Sequence, residues 1–391
     1  MKVLFSPALA VFSLFCGLAV LDSTINDSKP RETPPLQTSP AKNPKIQAAI
    51  LLDVSGSMDG LIEQAKAQLW NMVSVMGRVK CEEQTPQIEI ALYEYGRTTN
   101  DAKAGYIKQI SAFTSDLDQL SQELFKLTTN GGDEYCGHVI LSSLDQLSWD
   151  TSSSNYKVIF IAGNEDFLQG SVTWQRACIE AKKKGVIVNT IYCGNREQGI
   201  REHWNLAGEC GNGSYSNIDH NAEQLNIPTP YDSLLFLYNN NLNKTYIGYG
   251  AMGAVNYSKQ ADVDDMNTRF SSAEPLAKRV AVKGNKKLYN NSSWDLVDAA
   301  DRDSTIIAKL DLNTLPDSLQ KKSRKELQQI VDAKAKERSA IQKEISELVA
   351  KRDSFIAAEK AKAATTKVST LESEVENAIR QQVKRYNMKV E

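Results

Sequence analysis

The chain has 391 residues, which is enough for more than one domain, and its hydrophobic (41 %) and charged (24 %) contents are those of an ordinary soluble protein. Its formal net charge of −2 leaves no broadly basic surface, so we expect no nucleic-acid partner. Composition and charge indicate nothing more specific about function.

The N-terminus has the pattern of a secretory signal. A basic start, Met1-Lys2, precedes an apolar stretch from Val3 to Leu21, and Gly17-Leu18-Ala19 offers a small-x-small cleavage site. We therefore predict a signal peptide over residues 1–21 and an exported protein, periplasmic or secreted. Residues 22–44 are rich in Pro, Ser, Thr, Asn and Lys, which predicts a disordered linker.

The cysteines leave two questions open. Cys16 is an alternative lipid-attachment residue, which would make the protein a membrane-anchored lipoprotein, and an uncleaved anchor is a second alternative. We expect membrane contact only through such an N-terminal tether. The other five cysteines are an odd number, so at least one is unpaired or bonds another chain. In an oxidising compartment we expect structural thiols or one or two disulfides, formed among Cys81, Cys136, Cys178, Cys193 and Cys210.

From Lys45 onward, strand-like and helix-like segments alternate, which is the signature of a parallel α/β sheet. Apolar or alternating runs predict strands, and leucine-rich periodicity predicts the helices between them. The predicted strands are 46–52, 87–95, 106–113, 156–162, 186–193 and 215–218. The predicted helices are 61–79, 116–127, 139–149, 174–184, 201–210 and 229–242.

The first strand runs directly into Asp53-Val54-Ser55-Gly56-Ser57. Open α/β sheets hold ligands outside the carboxyl ends of their strands, so these side-chain oxygens face the expected binding crevice. Oxygen ligands suit a hard divalent cation: Mg²⁺ foremost, with Mn²⁺ or Ca²⁺ as alternatives. The simpler interpretation is a Ser-capped turn into the following helix.

The D-x-S-x-S pattern, set between a buried strand and a helix, resembles the metal-ion-dependent adhesion site of von Willebrand factor type A domains. The resemblance covers about half of the chain and implies a doubly wound, mainly parallel, Rossmann-like sheet. It also implies that Asp53, Ser55 and Ser57 bind the metal. In that family a Thr from a second loop and an Asp after the fourth strand complete the site.

The chain departs from the family pattern at both of these further positions. In the second loop Asp133 stands where the family has Thr, and Glu134 follows it as a weaker candidate. After the central strand the Asp is absent, and the stand-ins are Asn164, Glu165 and Asp166. A carboxylate from the second loop would hold the ion more tightly and make it attract an acidic partner less. We therefore expect either a modified or a vestigial metal site.

Within the von Willebrand factor type A family, the chain resembles in particular a bacterial exported subgroup with a helical C-terminus. It rests on the segments 160–165 (FIAGNE), 189–194 (NTIYCG) and 294–299 (WDLVDA). We predict a von Willebrand A domain over residues 45–242, a mixed extension over 243–315 and a charged helical region over 316–391.

The last region carries an apolar stripe in an otherwise charged sequence. Capping boxes at Ser323 and Glu326 and at Ser369 and Glu372 predict two helix starts. A helical hairpin or bent coiled coil is one interpretation of the stripe, and packing onto the α/β domain is the other.

The sequence provides little support for a dinucleotide-binding site, a calcium loop or a catalytic site. Gly248 to Gly253 fits G-x-G-x-x-G, but we expect neither a strand before it nor a clear helix after it, and predict a glycine-rich turn. Asp262, Asp264 and Asp265 are interpreted as acids at a helix N-terminus rather than a calcium loop. The three histidines, His138, His203 and His220, accompany no nucleophile motif, so we predict no enzymatic activity.

The sequence thus predicts an exported, non-enzymatic interaction or adhesion module that binds an unidentified protein or matrix ligand through its metal site. One alternative is a structural envelope component with a vestigial site, which assembles as a homo-oligomer through its C-terminal helices. A second alternative is an accessory subunit of an ATPase-linked complex.

Overall fold

The computed structural model describes residues 44–219, 227–269, 273–362 and 371–391, which fall in one compact unit. The predicted signal peptide with Cys16, most of the predicted linker, His220 and the capping residue Ser369 lie outside these ranges. Within them, no helix combines the length and the hydrophobicity needed to cross a bilayer.

A mainly parallel sheet forms the centre of the described residues. The strands are β1 (Lys45–Asp53), β2 (Val79–Cys81), β3 (Gln87–Tyr95), β4 (Lys108–Thr114), β5 (Tyr156–Gly163), β6 (Ile187–Cys193), β7 (Asn212–Ile218) and β8 (Met388–Val390). The main sheet has the order β4-β3-β1-β5-β6-β7, and β2 pairs separately with β8. All neighbours in the main sheet are parallel except β4, which runs antiparallel to β3 at one edge.

Helices cover both faces of this sheet. They are α1 (Asp59–Gly77), α2 (Leu117–Lys126), α3 (Cys136–Gln146), α4 (Trp174–Lys184), α5 (Arg196–Arg201), α6 (Trp204–Cys210), α7 (Asp232–Asn243), α8 (Gly253–Thr268), α9 (Glu274–Lys283), α10 (Leu296–Arg302), α11 (Ile306–Lys309), α12 (Asp317–Gln320), α13 (Arg324–Lys362) and α14 (Leu371–Gln382). Helices α1, α2, α7, α9 and α14 contribute to the core on one face, and α3, α4 and α6 to the core on the other.

Strand β1 shows why the sheet is buried on both sides. Successive side chains of a strand point to opposite faces, and every residue of β1 after Lys45 is buried. Ile50 and Leu52 belong to one core cluster, whereas Ala49 and Leu51 belong to the other. The central position of β1 and the single antiparallel edge strand give the strand order of the von Willebrand factor type A fold. The predicted fold class is therefore confirmed.

The C-terminal helices pack onto the α/β domain. Helix α13 contacts α7, α9 and α10, and α14 contacts α1, β6 and β7. Apolar residues of the α13 stripe are buried in these contacts: Leu327, Val331, Ile341, Ile345 and Leu348. The Gln382 Oε1 atom accepts a hydrogen bond from the Tyr156 hydroxyl at 2.8 Å. Of the two interpretations of the stripe, the contacts support packing onto the domain.

Two local predictions in the extension were wrong. Helix α8 begins at Gly253, directly after the glycine-rich segment, where we expected no clear helix. The preceding residues still form no strand, because Gly248 makes only an isolated bridge to Asp295. Asp264 lies in the second half of α8 rather than at a helix N-terminus, and it is buried against Arg279 and Lys283.

The described cysteines include one disulfide. Cys178 of α4 is bonded to Cys210 of α6. Cys81, Cys136 and Cys193 are buried thiols. The disulfide links two helices on the same face of the sheet. One disulfide and three buried thiols agree with the expected structural thiols or one or two disulfides.

Candidate metal centre

The D-x-S-x-S loop leaves the sheet at the carboxyl end of β1. Asp53 is fully buried there, and its Oδ1 atom accepts a hydrogen bond from the Ser55 backbone N–H at 2.7 Å. The Val54 N–H donates to the Tyr95 carbonyl at 2.9 Å, and the Met58 N–H donates to the Ser55 carbonyl at 3.1 Å. These bonds shape the loop before α1 begins at Asp59.

The second loop is held against the first by backbone contacts. The Asn130 N–H donates to the Val54 carbonyl at 2.9 Å, and the Thr98 N–H donates to the Gly131 carbonyl at 2.9 Å. A Cβ atom at Gly132 would lie 2.4 Å from the Gly96 carbonyl oxygen, so a larger residue would push the second loop away from the turn that follows β3. The glycines of this loop therefore allow the close approach that brings the following residues to Asp53.

The structure separates the two acids of the second loop. Glu134 is buried, with 5 % of its surface exposed, whereas Asp133 is exposed and accepts a hydrogen bond from the Tyr135 hydroxyl at 3.2 Å. A Cβ atom at Gly96 would lie 2.8 Å from Asp53 Oδ1 and 3.0 Å from Glu134 Cγ, which places both side chains around one point. The inward-facing acid is thus Glu134, the weaker candidate of the sequence prediction.

Ser57 and Asn164 meet at the rim of the site. Ser57 is exposed, and its hydroxyl accepts a hydrogen bond from Asn164 Nδ2 at 3.1 Å. The candidate ligands therefore form an inner group of Asp53, Ser55 and Glu134 and an outer pair of Ser57 and Asn164. Their role as metal ligands stays a prediction.

The inner group contains polar atoms that lack partners. Among the described residues, Asp53 Oδ2 and Ser55 Oγ are buried and have no partner in hydrogen-bond geometry, although the Ser55 side chain lies close enough to Asp53 and Glu134 to lower the pKa of each in part. Burial raises the pKa of Asp53 to about 7, with a smaller contribution from the charge of Glu165. Burial also raises the pKa of Glu134 to about 8, and the Asp53 charge adds to the effect. Both carboxyls are therefore costly to ionise at this buried position unless a positive charge compensates them.

This arrangement fits a hard divalent cation. Such ions prefer carboxylate and hydroxyl oxygens, and an ion would compensate both buried carboxylates. No group of three or more His, Cys, Asp or Glu side chains in the described ranges has a metal-binding arrangement. A cation here would consequently depend on the serine hydroxyls as well as on Asp53 and Glu134.

Tyr95 and Gly163 support the site, although the sequence analysis did not single them out. The Tyr95 hydroxyl donates to the Ala162 carbonyl at 2.9 Å, and the Cys136 thiol lies 3.9 Å from that hydroxyl. This bond joins the ends of β3 and β5 on both sides of Asp53. Tyr95 can be located from the strand register, in which Tyr95 is the β3 residue paired with Asp53.

Replacing Gly163 with Ala is expected to lower the free energy of unfolding by about 1–3 kcal/mol, the usual cost of overpacking. The new Cβ atom would lie 2.5 Å from the Tyr95 hydroxyl and 3.1 Å from Asp53 Oδ2. Urea unfolding of the purified chain measures the effect. Gly131→Ala is the matched control, since its Cβ atom would meet nothing within 4 Å. Equal stability of the two variants would contradict the prediction.

The described histidines do not form a catalytic pair with a cysteine. His203 Nδ1 lies 3.1 Å from Asp166 Oδ1, and His138 Nε2 lies 3.4 Å from the Ser171 hydroxyl. The thiol of Cys193 is buried and directed to the Ile191 carbonyl at 3.9 Å. Cys136 and His138 are close in sequence, as are Cys193 and His203, but each of these side chains contacts a different partner, so neither pair provides a nucleophile and a base.

No family model matches the chain, and no curated protein matches it in sequence. Similar solved structures include proximal thread matrix protein 1 from the mussel byssus with a zinc-occupied MIDAS motif (11 % identity, 45 % of this chain and 42 % of that chain, TM-score 0.35). An aerotolerance-related membrane protein from Bacteroides fragilis is 16 % identical over 44 % of this chain and 92 % of its own, with a TM-score of 0.32. A von Willebrand factor type A protein from Catenulispora acidiphila is 12 % identical over 45 % and 39 %, with a TM-score of 0.33.

The match covers less than half of the length of the mussel protein. Identities and TM-scores of this size transfer neither an activity nor a partner to this chain. The assignment of the fold rests on the strand order, and the candidate site rests on the geometry at the end of β1.

Proposed function

We propose that this chain, whose sheet has the strand order of a von Willebrand factor type A domain, is an exported, non-enzymatic interaction module with a modified metal-ion-dependent adhesion site. The observation that carries the proposal is the pair of unpartnered buried oxygens, Asp53 Oδ2 and Ser55 Oγ, next to the buried Glu134. Leaving such atoms without a partner is costly, and a bound cation would satisfy them.

Each residue has a distinct part in holding the ion. Asp53 and Glu134 supply negative charge, and Ser55 supplies a neutral oxygen from the same inner group. Ser57, with Asn164 beside it, would close the site at the exposed rim. The cation itself supplies a positive charge at the edge of the sheet, most of which the two carboxylates neutralise.

The rim around this edge is suited to contact with a protein or matrix partner. Leu168 follows β5 and Ile200 lies in α5, after β6, so both are at the carboxyl end of the sheet. Each is 45 % exposed, and the segments that carry them are joined by the hydrogen bond from the Phe167 N–H to the Glu202 carbonyl at 2.9 Å. Because Glu134 already provides a carboxylate, we expect binding to depend on these apolar contacts more than on an acid from the partner.

Two further observations support the proposal. The Cys178–Cys210 disulfide suits an oxidising compartment and therefore an exported protein. The apolar stripe of α13 is buried within the chain, which favours the metal edge over that stripe as the contact surface.

Titration calorimetry of the full chain with Mg²⁺, Mn²⁺ and Ca²⁺ tests the metal site. We expect binding of at least one cation, and Glu134→Gln should weaken it by about tenfold because one inner carboxylate is removed. Asp133→Asn is the matched control and should bind as the wild type does, since Asp133 faces solvent. Absence of binding by the wild-type chain, or a larger loss in Asp133→Asn than in Glu134→Gln, would overturn the proposed arrangement.

A further inference from the structure

A groove of about 680 Å³ lies between the end of α1, residues 281–301 of the extension and α13. Its walls come from the end of α1, the segment after α9, α10 and the middle of α13. Cavities of about 300–1,000 Å³ are typical of small-molecule sites. The groove is remote from the metal centre, because α1 begins at Asp59, two residues after Ser57, and reaches the groove at Ser74, about 22 Å further along the helix.

Positive charge dominates the groove. Arg78, Lys286, Lys287 and Lys343 line it and are all exposed. Lys287 and Lys343 have no carboxylate partner among the described residues. The other two cations make only exposed pairs at 3.4 Å, Arg78 with Glu376 and Lys286 with Asp301. Exposed pairs of this kind are worth little, so these side chains remain able to turn toward a ligand.

The acids and the buried arginine of the groove do not cancel this charge. Arg338 NH1 is bonded to Asp298 and Asp295 at 2.6 Å each, so it is already neutralised inside the wall. Asp298 is engaged by Arg338 and by the Asn291 N–H at 2.8 Å. In a chain with a net charge of −2, the groove is therefore a local concentration of free cations.

Neutral polar groups accompany the cations. Ser74, Ser339, Ser346, Gln342, Asn285 and Asn290 line the same groove. Val297, Ile345 and Leu288 contribute apolar surface beneath them. Hydroxyl and amide groups donate and accept hydrogen bonds, which matches the hydroxyls of a sugar, whereas ammonium and guanidinium groups match phosphate or carboxylate.

We propose that this groove binds a small, hydroxyl-bearing anion of the size of a phosphorylated or carboxylated sugar. Lys287, from the segment after α9, and Lys343, on α13, both line the groove and would contact the anionic group. The serine and amide side chains bind the hydroxyls. A ligand held in this way would bridge α13 and the α/β domain.

Calorimetric titration of the full chain with glucose-6-phosphate, glucuronate and neutral glucose tests the proposal. We expect at least one of the anions to bind with a dissociation constant of about 1 mM or less and glucose to bind at least about tenfold more weakly. If glucose-6-phosphate binds more tightly than glucuronate, the groove prefers a phosphate as the anionic group. The opposite order shows a preference for a carboxylate. Failure of both anions to bind, or equal binding of glucose, would overturn the proposal.

Paired charge-removing variants locate the site. Lys287→Gln combined with Lys343→Gln should weaken anion binding by at least about tenfold. The control combines Lys325→Gln and Lys336→Gln, which remove the same charge from exposed positions of α13 that do not line the groove. The control should bind as the wild type does. If the groove variant binds unchanged, or if both variants lose affinity equally, the groove is not the binding site.

Discussion

Arg279→Met is expected to lower the free energy of unfolding by about 3–5 kcal/mol, the cost of breaking a buried ion pair from one side. Arg279 is fully buried, and its NH1 atom lies 2.6 Å from Asp118 Oδ1 while its Nε atom bonds Asp264. Its guanidinium carbon lies 4.7 Å from the centroid of the Trp70 ring. Removing the cation leaves Asp118 without its ion-pair partner and Asp264 with Lys283 alone, and it removes the Arg279 contacts of α9 with α1, α2 and α8.

The same cluster predicts a dependence on pH. Burial would raise the pKa of Asp264, but the charges of Arg279 and Lys283 outweigh it and hold that pKa well below its usual range. A lowered pKa contributes stability above the unfolded-state value of about 4, and this contribution is lost as the pH falls below it. Arg279→Met should therefore lose less stability on acidification than the wild type does.

Urea unfolding at neutral pH and at about pH 3 measures both effects. Arg269→Met is the control, because Arg269 pairs with Asp265 on the exposed surface of α8 and should change stability by no more than about 0.5 kcal/mol. Similar losses in the two variants at neutral pH would show that the Arg279 cluster does not hold the extension to the domain.

Asp53→Asn is expected to reduce cation affinity at least about a hundredfold, equivalent to about 2.7 kcal/mol, because it removes the charged ligand at the centre of the site. In the presence of a chelator the same substitution should raise the free energy of unfolding by about 2 kcal/mol at pH 9. Burial raises the pKa of Asp53 to about 7. An acid with a raised pKa contributes most to stability below its unfolded-state value, and this contribution is lost as the pH rises through 7.

Calorimetry with Mg²⁺ and urea unfolding with and without chelator provide the two readouts. Asp262→Asn, an exposed acid of α8, is the control and should change neither of them. A loss of Mg²⁺ affinity together with a gain in the free energy of unfolding in chelator identifies a cation site. A residue that only stabilises the fold would instead lower the free energy of unfolding when it is replaced. If Asp53→Asn binds Mg²⁺ as the wild type does, Asp53 is not a ligand.

Several elements were predictable because they depend on local pattern. The apolar run of β1 and the D-x-S-x-S loop are contiguous, so their placement at a strand end follows from the sequence alone. The predicted helix over 174–184 coincides with α4, where the Thr173 hydroxyl accepts from the Arg176 N–H and Gly185 ends the helix with φ of +63°. Signals of this kind need no knowledge of distant residues.

The inward position of Glu134 was not predictable in the same way. Asp133 and Glu134 are adjacent carboxylates, and no local signal says which of them points toward Asp53. The choice appears only once the second loop is packed beside the turn after β3, where the Gly96 position lies next to both Asp53 and Glu134. Asp264 of α8 is a second example, since its burial depends on Arg279 and Lys283 from another helix.

The sequence by itself determined a two-face-buried first strand, an oxygen-rich loop at its end and an apolar stripe along the last helices, because each is a periodicity or a motif within one segment. Only the tertiary structure decided which acid completes the candidate metal site, where the stripe is buried and where the cationic groove forms. Those features arise from contacts between segments that are distant in the sequence. A periodic segment can bury its apolar face against more than one neighbour, and the free energy of packing decides which neighbour it contacts.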